Sequence, residues 1–290
     1  MARFFTLALA VAGWLSCPAL ADCPRDKLLA TTDAYVTSQN SGDLASLQKL
    51  FSSSNFTYQE NNKVEDVKSG LLSKTLKIDY NRSTADTTAC VSYTEVVVTS
   101  PIPYVIGTQI RHNADMSVSM VDTVAATTGS LFFNASQSLE YFKKQDWSPL
   151  PEGKRPTRDV LQAAIDGYLD LWSNSTAINS IPFGTPCERV EGSRYVTPCT
   201  NGVPTSGGMK ANSMRRYVID EVIGSAEVLC SFTSVGDIPD SHEIRIENGK
   251  TRYVVTITLP WIQSGGKGKK GGASGIGGGA TSRIKPQLGI

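Results

Sequence analysis

Histidine is almost missing from this chain of 290 residues, with only 2, His112 and His242. Two histidines so far apart, with no local partner, lack the ligand spacing of a metal site, so no metal or cofactor is expected. Long hydrophobic runs are missing as well. The stretch from Phe4 to Leu15 falls short of the roughly 20 apolar residues a membrane helix needs. No membrane span is expected. There is no Gly-x-Ser-x-Gly elbow, no phosphate loop with its Gly-Lys-Ser/Thr ending, and no close carboxylate pair of the glycosidase kind. Charge of one sign is lacking too: 28 basic residues face 27 acidic ones. Five of the basic residues lie in a tail from Ser264 onward that holds no acid, which leaves a mildly acidic body. Such a body offers no clustered cations to a nucleic acid, and no nucleic-acid partner is expected.

What is present points to export. Arg3, the short apolar run and Ala19-Leu20-Ala21 form the pattern of a cleaved secretory leader over 1–21. The expected location is secreted, extracellular. Four sequons begin at Asn55, Asn81, Asn134 and Asn174 and are candidate glycosylation sites. Without Cys17 of the leader, five cysteines remain. Cys187 and Cys199 flank a turn-rich loop, and Cys23 and Cys90 stand alone in the first half, so these two disulfides are expected. Cys230 is left over on the Ala226/Val228/Phe232 side of a strand-like run, which predicts a buried thiol.

The chain repeats itself. Leu28-Leu29-Ala30-Thr31-Thr32-Asp33-Ala34-Tyr35 returns as Leu161-Gln162-Ala163-Ala164-Ile165-Asp166-Gly167-Tyr168, and Ile110-Arg111 as Ile244-Arg245. Asp86 returns as Asp220, each expected to head a strand. Landmarks that keep one spacing argue for a duplicated domain. In the first copy, apolar spacing predicts helices over 25–40, 44–51 and 64–72, a strand over 56–59, and strands over 88–98, 104–112 and 118–127. The second copy opens with a helix over 158–173. After a remodelled middle, strands are predicted over 216–222, 226–232, 242–247 and 252–259, the last two joined by an Asn248-Gly249 turn. Helices first and an antiparallel sheet afterwards is an α+β layout. The expected division is a leader over 1–21, a first domain over 22–147, and a linker over 148–156. A second domain follows over 157–263, then a disordered Gly/Lys-rich tail over 264–290.

The closing run His242-Glu243-Ile244-Arg245-Ile246-Glu247-Asn248-Gly249-Lys250 is similar to the hairpin that ends many nuclear-transport-factor-2-like, or SnoaL-like, domains. Tyr58-Gln59-Glu60-Asn61-Asn62, Gly107-Thr108-Gln109-Ile110-Arg111-His112, Pro182-Phe183-Gly184-Thr185-Pro186-Cys187 and Arg215-Arg216-Tyr217-Val218-Ile219-Asp220-Glu221 resemble an uncharacterised family of secreted filamentous-fungal proteins. The resemblance covers about Cys23 to Leu259 and leaves out the tail. It implies two tandem cone-shaped domains, each with helices packed on a strongly curved antiparallel sheet around a pocket. It further implies a monomer in which the two domains pair with each other.

Pockets of this kind are ligand sites, and in the wider superfamily they host proton-transfer chemistry. Alternation puts His112 on the face of Ile110, and His242 on the face of Ile244 and Ile246. Asp220, on the face of Val218 and Arg216, is a candidate base, a strand cap or a partner of Arg216. Tyr58 and Glu60 share a strand face and form a candidate donor–acceptor pair, while Asn62 is the alternative cap of the helix over 64–72. Arg111 and Arg245 fall opposite the histidines, where ion pairs are expected. The candidate catalytic residues are therefore His242, Asp220, His112 and Tyr58, with Glu60 and Arg216 as candidate ligand contacts. Two functions are compatible with this set. One is a pocket protein for a hydrophobic metabolite, rearranging it without a cofactor as an isomerase, cyclase or dehydratase. The other is a non-catalytic binding or effector protein. An open pocket exposing His242 or Asp220 favours the first, and aromatic rings filling both cones favour the second.

Overall fold

The computed structural model describes residues 23–260. The expected leader and Gly/Lys tail lie outside them. The chain forms α1 (Arg25–Ser41), α2 (Leu44–Gln48), β1 (Thr57–Glu60), β2 (Lys63–Val64), β3 (Tyr80–Asp86), β4 (Val91–Val98), β5 (Tyr104–His112) and β6 (Val118–Thr127). Then come α3 (Ala135–Phe142), α4 (Arg158–Asp170), β7 (Phe183–Glu191), β8 (Arg194–Val196), β9 (Ser213–Asp220), β10 (Ser225–Phe232), β11 (Ile238–Glu247) and β12 (Lys250–Thr258). Two open six-stranded sheets result, in the orders β2-β1-β6-β5-β4-β3 and β8-β7-β12-β11-β10-β9. The orders are the same, and so are the registers: Val91 pairs with Asp86 and Arg111, as Ser225 pairs with Asp220 and Arg245. The α+β class and the two-domain layout follow. The sheets are mixed rather than wholly antiparallel, because β1 runs parallel to β6, and β7 to β12.

Each sheet is covered on both faces, which explains why β4 and β10 are buried at every position. One face of the first sheet holds Val96, Ile106 and Ile110 under Tyr35 of α1 and Leu47 of α2. The corresponding face of the second holds Val228, Ile244 and Ile246 under Leu161, Ile165 and Tyr168 of α4. The other two faces meet: Val97, Val105 and Val124 pack with Leu229, Tyr253, Val255 and Ile257. Strands with two covered faces show no clean apolar/polar alternation. Thr157 caps α4 by accepting from the Val160 N–H, Asn134 caps α3 in the same way, and α1 ends at Gly42 with φ 76°.

Cys23–Cys90 and Cys187–Cys199 are disulfide-bonded as expected, and Cys230 is a free, buried thiol. No helix among the described residues is long and apolar enough to cross a membrane. Both findings are compatible with export. All four sequon asparagines are exposed.

Several local expectations fail for physical reasons. The helix expected over 64–72 is replaced by β2 and a 3-10 turn over Leu71–Ser73. The Glu60 carboxylate accepts from the Leu71 N–H and the Tyr58 hydroxyl from the Leu72 N–H, so side chains take the groups a helix would use. Asn62 caps no helix. It stands at φ 61° and bonds Arg216 and the Cys230 carbonyl across the two halves. Asp86 and Asp220 end β3 and β9 rather than head a strand. Helix α3, which has no counterpart in the sequence reading, bridges the halves: its Ser138 hydroxyl lies 2.8 Å from that of Ser193.

Candidate functional site

The candidate residues do not converge. His112, at the end of β5, is buried, and its Nε2 lies 3.1 Å from the Thr31 hydroxyl of α1. Burial lowers its pKa. It is a hydrogen-bonded strand-end histidine. The Tyr58 hydroxyl donates to Glu60 at 2.7 Å, and together they hold the 3-10 turn just described. Burial first, then the Glu60 hydrogen bond, raises the Tyr58 pKa. Gly70 permits this fit, since a Cβ there would sit 2.4 Å from Tyr58 Cε1.

Asp220 lies between the halves. It accepts from Arg25 at 2.8 Å and from the Ala85 N–H at 2.8 Å, and it does not pair with Arg216. Asp86 does the reciprocal thing, accepting from Arg158 at 2.7 and 2.9 Å and from the Ile219 N–H at 2.9 Å. Arg25 and Arg158 stand one residue into α1 and α4, so one clasp is built twice across a pseudo-two-fold axis. Arg216 turns to Asp122 of β6. Its counterpart Arg82 reaches Glu243 at 2.6 Å and Glu95 at 3.0 Å. One guanidinium between two buried carboxylates cannot satisfy both as anions, and burial pushes Glu95 up to about 7. Arg245 is buried and donates to the Ser148 carbonyl, while Arg111 donates to Gln109. These charges sew the sheets together. None of them lines the cavities at Trp172, Glu60, Ile102 or Asn248 among the described residues.

His242 is different. It sits in mid-β11 on the helix-covered face, ringed by Tyr168, Trp172 and Phe232 at centroid distances of 5.4, 6.1 and 5.6 Å. Beside it are Asp240, two residues back, and Cys230, which pairs with Asp240 across β10–β11. The His242 Nδ1 and Asp240 Oδ2 are 3.2 Å apart, yet neither atom has a hydrogen bond of acceptable geometry. The Thr258 hydroxyl donates to the other oxygen of Asp240 at 2.9 Å. Burial lowers the His242 pKa to about 3, helped by Arg189 and Arg215, and raises the Asp240 and Cys230 pKa values. Burial thus disfavours the charged form of each of the three groups. Leaving a buried polar atom unpaired costs about 1–3 kcal/mol, so this core carries a cost that an apolar one would not.

Above this layer opens a cavity of about 290 Å³, lined by Trp172, Arg189, Glu191, Arg194, Asn201 and Met209 among others. Arg189 is 3.4 Å from Glu191 and reaches the Tyr168 hydroxyl at 3.5 Å. In register Arg189 answers to Tyr58, because Val254 pairs with Arg189 as Val121 pairs with Tyr58. Glu191 likewise answers to Glu60. The place that the 3-10 turn occupies in the first half borders this cavity in the second, while Glu60 also lines a separate cavity of about 570 Å³ with Asn62, Lys63, Met214 and Asp237 at the seam.

Sequence reasoning missed Asp240, Arg189 and the partners of His242. The signals were there: Asp240 and His242 are two apart, hence on one strand face, and Cys230 was already placed on the buried side. A search for sequential ligand spacing overlooks partners supplied by a neighbouring strand.

Residues 154–258 match the model of a family described as a domain of unknown function, DUF8021. No curated protein matches the chain.

Proposed function

We propose that this is a secreted small-molecule-binding protein whose ligand site is the open cavity of the second half. The first half acts as its structural partner. The observation that carries the reading is the contrast between equivalent places: Tyr58 and Glu60 hold a 3-10 turn through the Leu71 and Leu72 N–H groups, whereas Glu191 and Arg189, the latter donating to the Asn201 carbonyl, border a cavity. The volume, about 290 Å³, stands just below the roughly 300–1,000 Å³ range of such sites, which suits a small ligand. A lining of Trp172 and Met209 beside the exposed Arg194 suits an amphipathic ligand with a flat apolar body and an anionic group. The resemblance to SnoaL-like pockets supports the same placement. The two meeting sheet faces cover one another, which supports a monomer.

Rearrangement chemistry has less in its favour. His242 is 2% exposed and Asp220 1%, so neither offers a proton to a ligand in the cavity. The test is to fill the site. Met209 is 43% exposed, so Met209→Trp should fold normally. Native mass spectrometry of the secreted chain against a panel of aromatic carboxylates and their neutral amides should show carboxylate binding that the variant loses. Equal binding by Met209→Trp would place the ligand elsewhere and end the proposal.

A further inference from the structure

We propose that Cys230, Asp240 and His242 form a buried binding site for one divalent transition-metal ion of the zinc type. The Cys230 thiolate, one Asp240 carboxylate oxygen and the His242 imidazole are its three protein ligands. The ligand atoms of the three residues all lie within 4.8 Å of one another. Some point is therefore no more than about 2.8 Å from all three, within a small side-chain rotation of the roughly 2.0–2.3 Å bonds zinc makes to nitrogen, oxygen and sulfur. Thiolate, imidazole and carboxylate together suit a borderline-soft ion rather than calcium or magnesium.

A second observation is independent of that spacing. Asp240 is 0% exposed and His242 2%, yet Asp240 Oδ2 and His242 Nδ1 face each other without a proper hydrogen bond. The Thr258 hydroxyl fixes the remaining Asp240 oxygen, leaving Oδ2 as the one free to ligate. Third, the fold does not require this cluster. In the same registers of the first half stand Val96, Ile106 and Thr108, because Val96 pairs with Ile106 as Cys230 pairs with Asp240. Thr108 is satisfied by Tyr35, whose hydroxyl is 3.1 Å away, and Ala125 takes the place of Thr258. A version of the site with no cysteine, carboxylate or histidine thus folds within the same molecule.

Charge and atoms balance. Bound, the dication is matched by the Cys230 thiolate and the Asp240 carboxylate, His242 binds as the neutral imidazole, and the protons displaced on binding pass to solvent, so the filled site carries zero net charge. Three protein ligands leave one tetrahedral position for water. None of the three ligands lines the cavity proposed above, whose nearest shared neighbour is Trp172 with its ring centroid 6.1 Å from that of His242, so either reading can fail without the other.

The full chain, secreted into cobalt-supplemented medium and purified, should carry one Co2+ per molecule with a thiolate-to-cobalt absorption band in the near ultraviolet. The triple variant Cys230→Val, Asp240→Ile, His242→Thr installs the residues of the first half and should fold yet lose both the metal and the band. Cobalt retained without the band, or at equal stoichiometry in the triple variant, overturns the site. Should that variant fail to fold, X-ray absorption of the zinc-loaded wild-type chain decides the matter. One sulfur among nitrogen and oxygen neighbours supports the proposal, and purely nitrogen and oxygen coordination, or no zinc retained at all, sinks it.

Discussion

The two halves share strand order, register and the placement of their first helix, yet they fill their helix-covered faces in different ways. In the first half, Tyr35 reaches Thr108, which lies 3.1 Å from Thr123, and Leu71 and Leu72 of the 3-10 turn pack into the same core as Tyr58. In the second, Tyr168 packs against His242, and Arg189 takes the place of Tyr58 and borders a cavity. The difference shows which features belong to the fold and which do not. A sheet that packs Val96 and Ile106 in one copy does not need Cys230 and Asp240 in the other. Polar groups kept in a core at a cost in stability are candidates for function. The surface between the halves teaches the opposite lesson. There the clasp of Asp86 with Arg158 and of Asp220 with Arg25 is kept in both copies, which marks it as architecture.

The most damaging way to break the comparison is to remove the charge on which both halves converge. Arg82→Met leaves Glu95 and Glu243 buried without their shared partner. Loss of one member of a buried ionic group costs about 3–5 kcal/mol. Denaturant unfolding should show that loss, with both halves melting in one transition. Two separate transitions, the first half unaffected, would show that the sheets do not depend on each other.

Next is the pH dependence of the same cluster. Burial lifts the folded-state pKa of Glu95 to about 7, above the ordinary 4.5. The folded chain therefore holds a proton that the unfolded chain has released. The stabilisation is complete below about pH 4.5 and is lost as pH rises through about 7, with a slope of up to about 1.4 kcal/mol per pH unit. Glu95→Gln should flatten the stability profile in that window by as much as about 3 kcal/mol. An unchanged profile would assign the shared proton to another group.

The helices α1 and α4 and the hairpin at Asn248-Gly249 could be read from local spacing, the repeat from landmarks that recur at one offset, and both disulfides from the few cysteines present in each half. Strand β3 could not. Tyr80-Asn81-Arg82-Ser83-Thr84-Ala85-Asp86 is polar because it lies at the seam between the halves, where Arg82 and Asp86 find partners from the other copy. Inter-sheet charges such as Glu95, Glu227 and Glu243 mimic the wet face of a half-exposed strand, although all three are buried. The same blindness to neighbouring strands hid the partners of His242.

The pseudo-symmetry of the seam can be sharpened directly. Asp86→Asn and Asp220→Asn each weaken one charged clasp and leave one backbone donor facing an amide NH2, because both oxygens of each carboxylate accept from backbone N–H groups, of Ala89 and Ile219 at Asp86 and of Ala85, Val222 and Ile223 at Asp220. Each should cost about 2 kcal/mol, within the usual range for hydrogen bonds to charged groups. The prediction lies in their equality: Arg158 is 34% exposed and Arg25 26%, so solvent screens both alike. Costs that differ by more than about 1 kcal/mol would show that one half leans on the seam more than the other.

The smallest expected effect tests the 3-10 turn. Tyr58→Phe removes the hydroxyl that donates to Glu60 and accepts from the Leu72 N–H. Glu60 keeps its bond from Leu71, so the turn should persist at a cost of about 1 kcal/mol. Hydrogen exchange at the Leu72 amide should quicken, while exchange in β7 and ligand uptake by the second-half cavity stay as they were. That combination would show that Tyr58 serves only its own half. If Tyr58→Phe instead altered uptake at Arg189, the two equivalent places would be coupled through the paired sheets, and the division into a structural half and a binding one would have to give way to a single two-headed site.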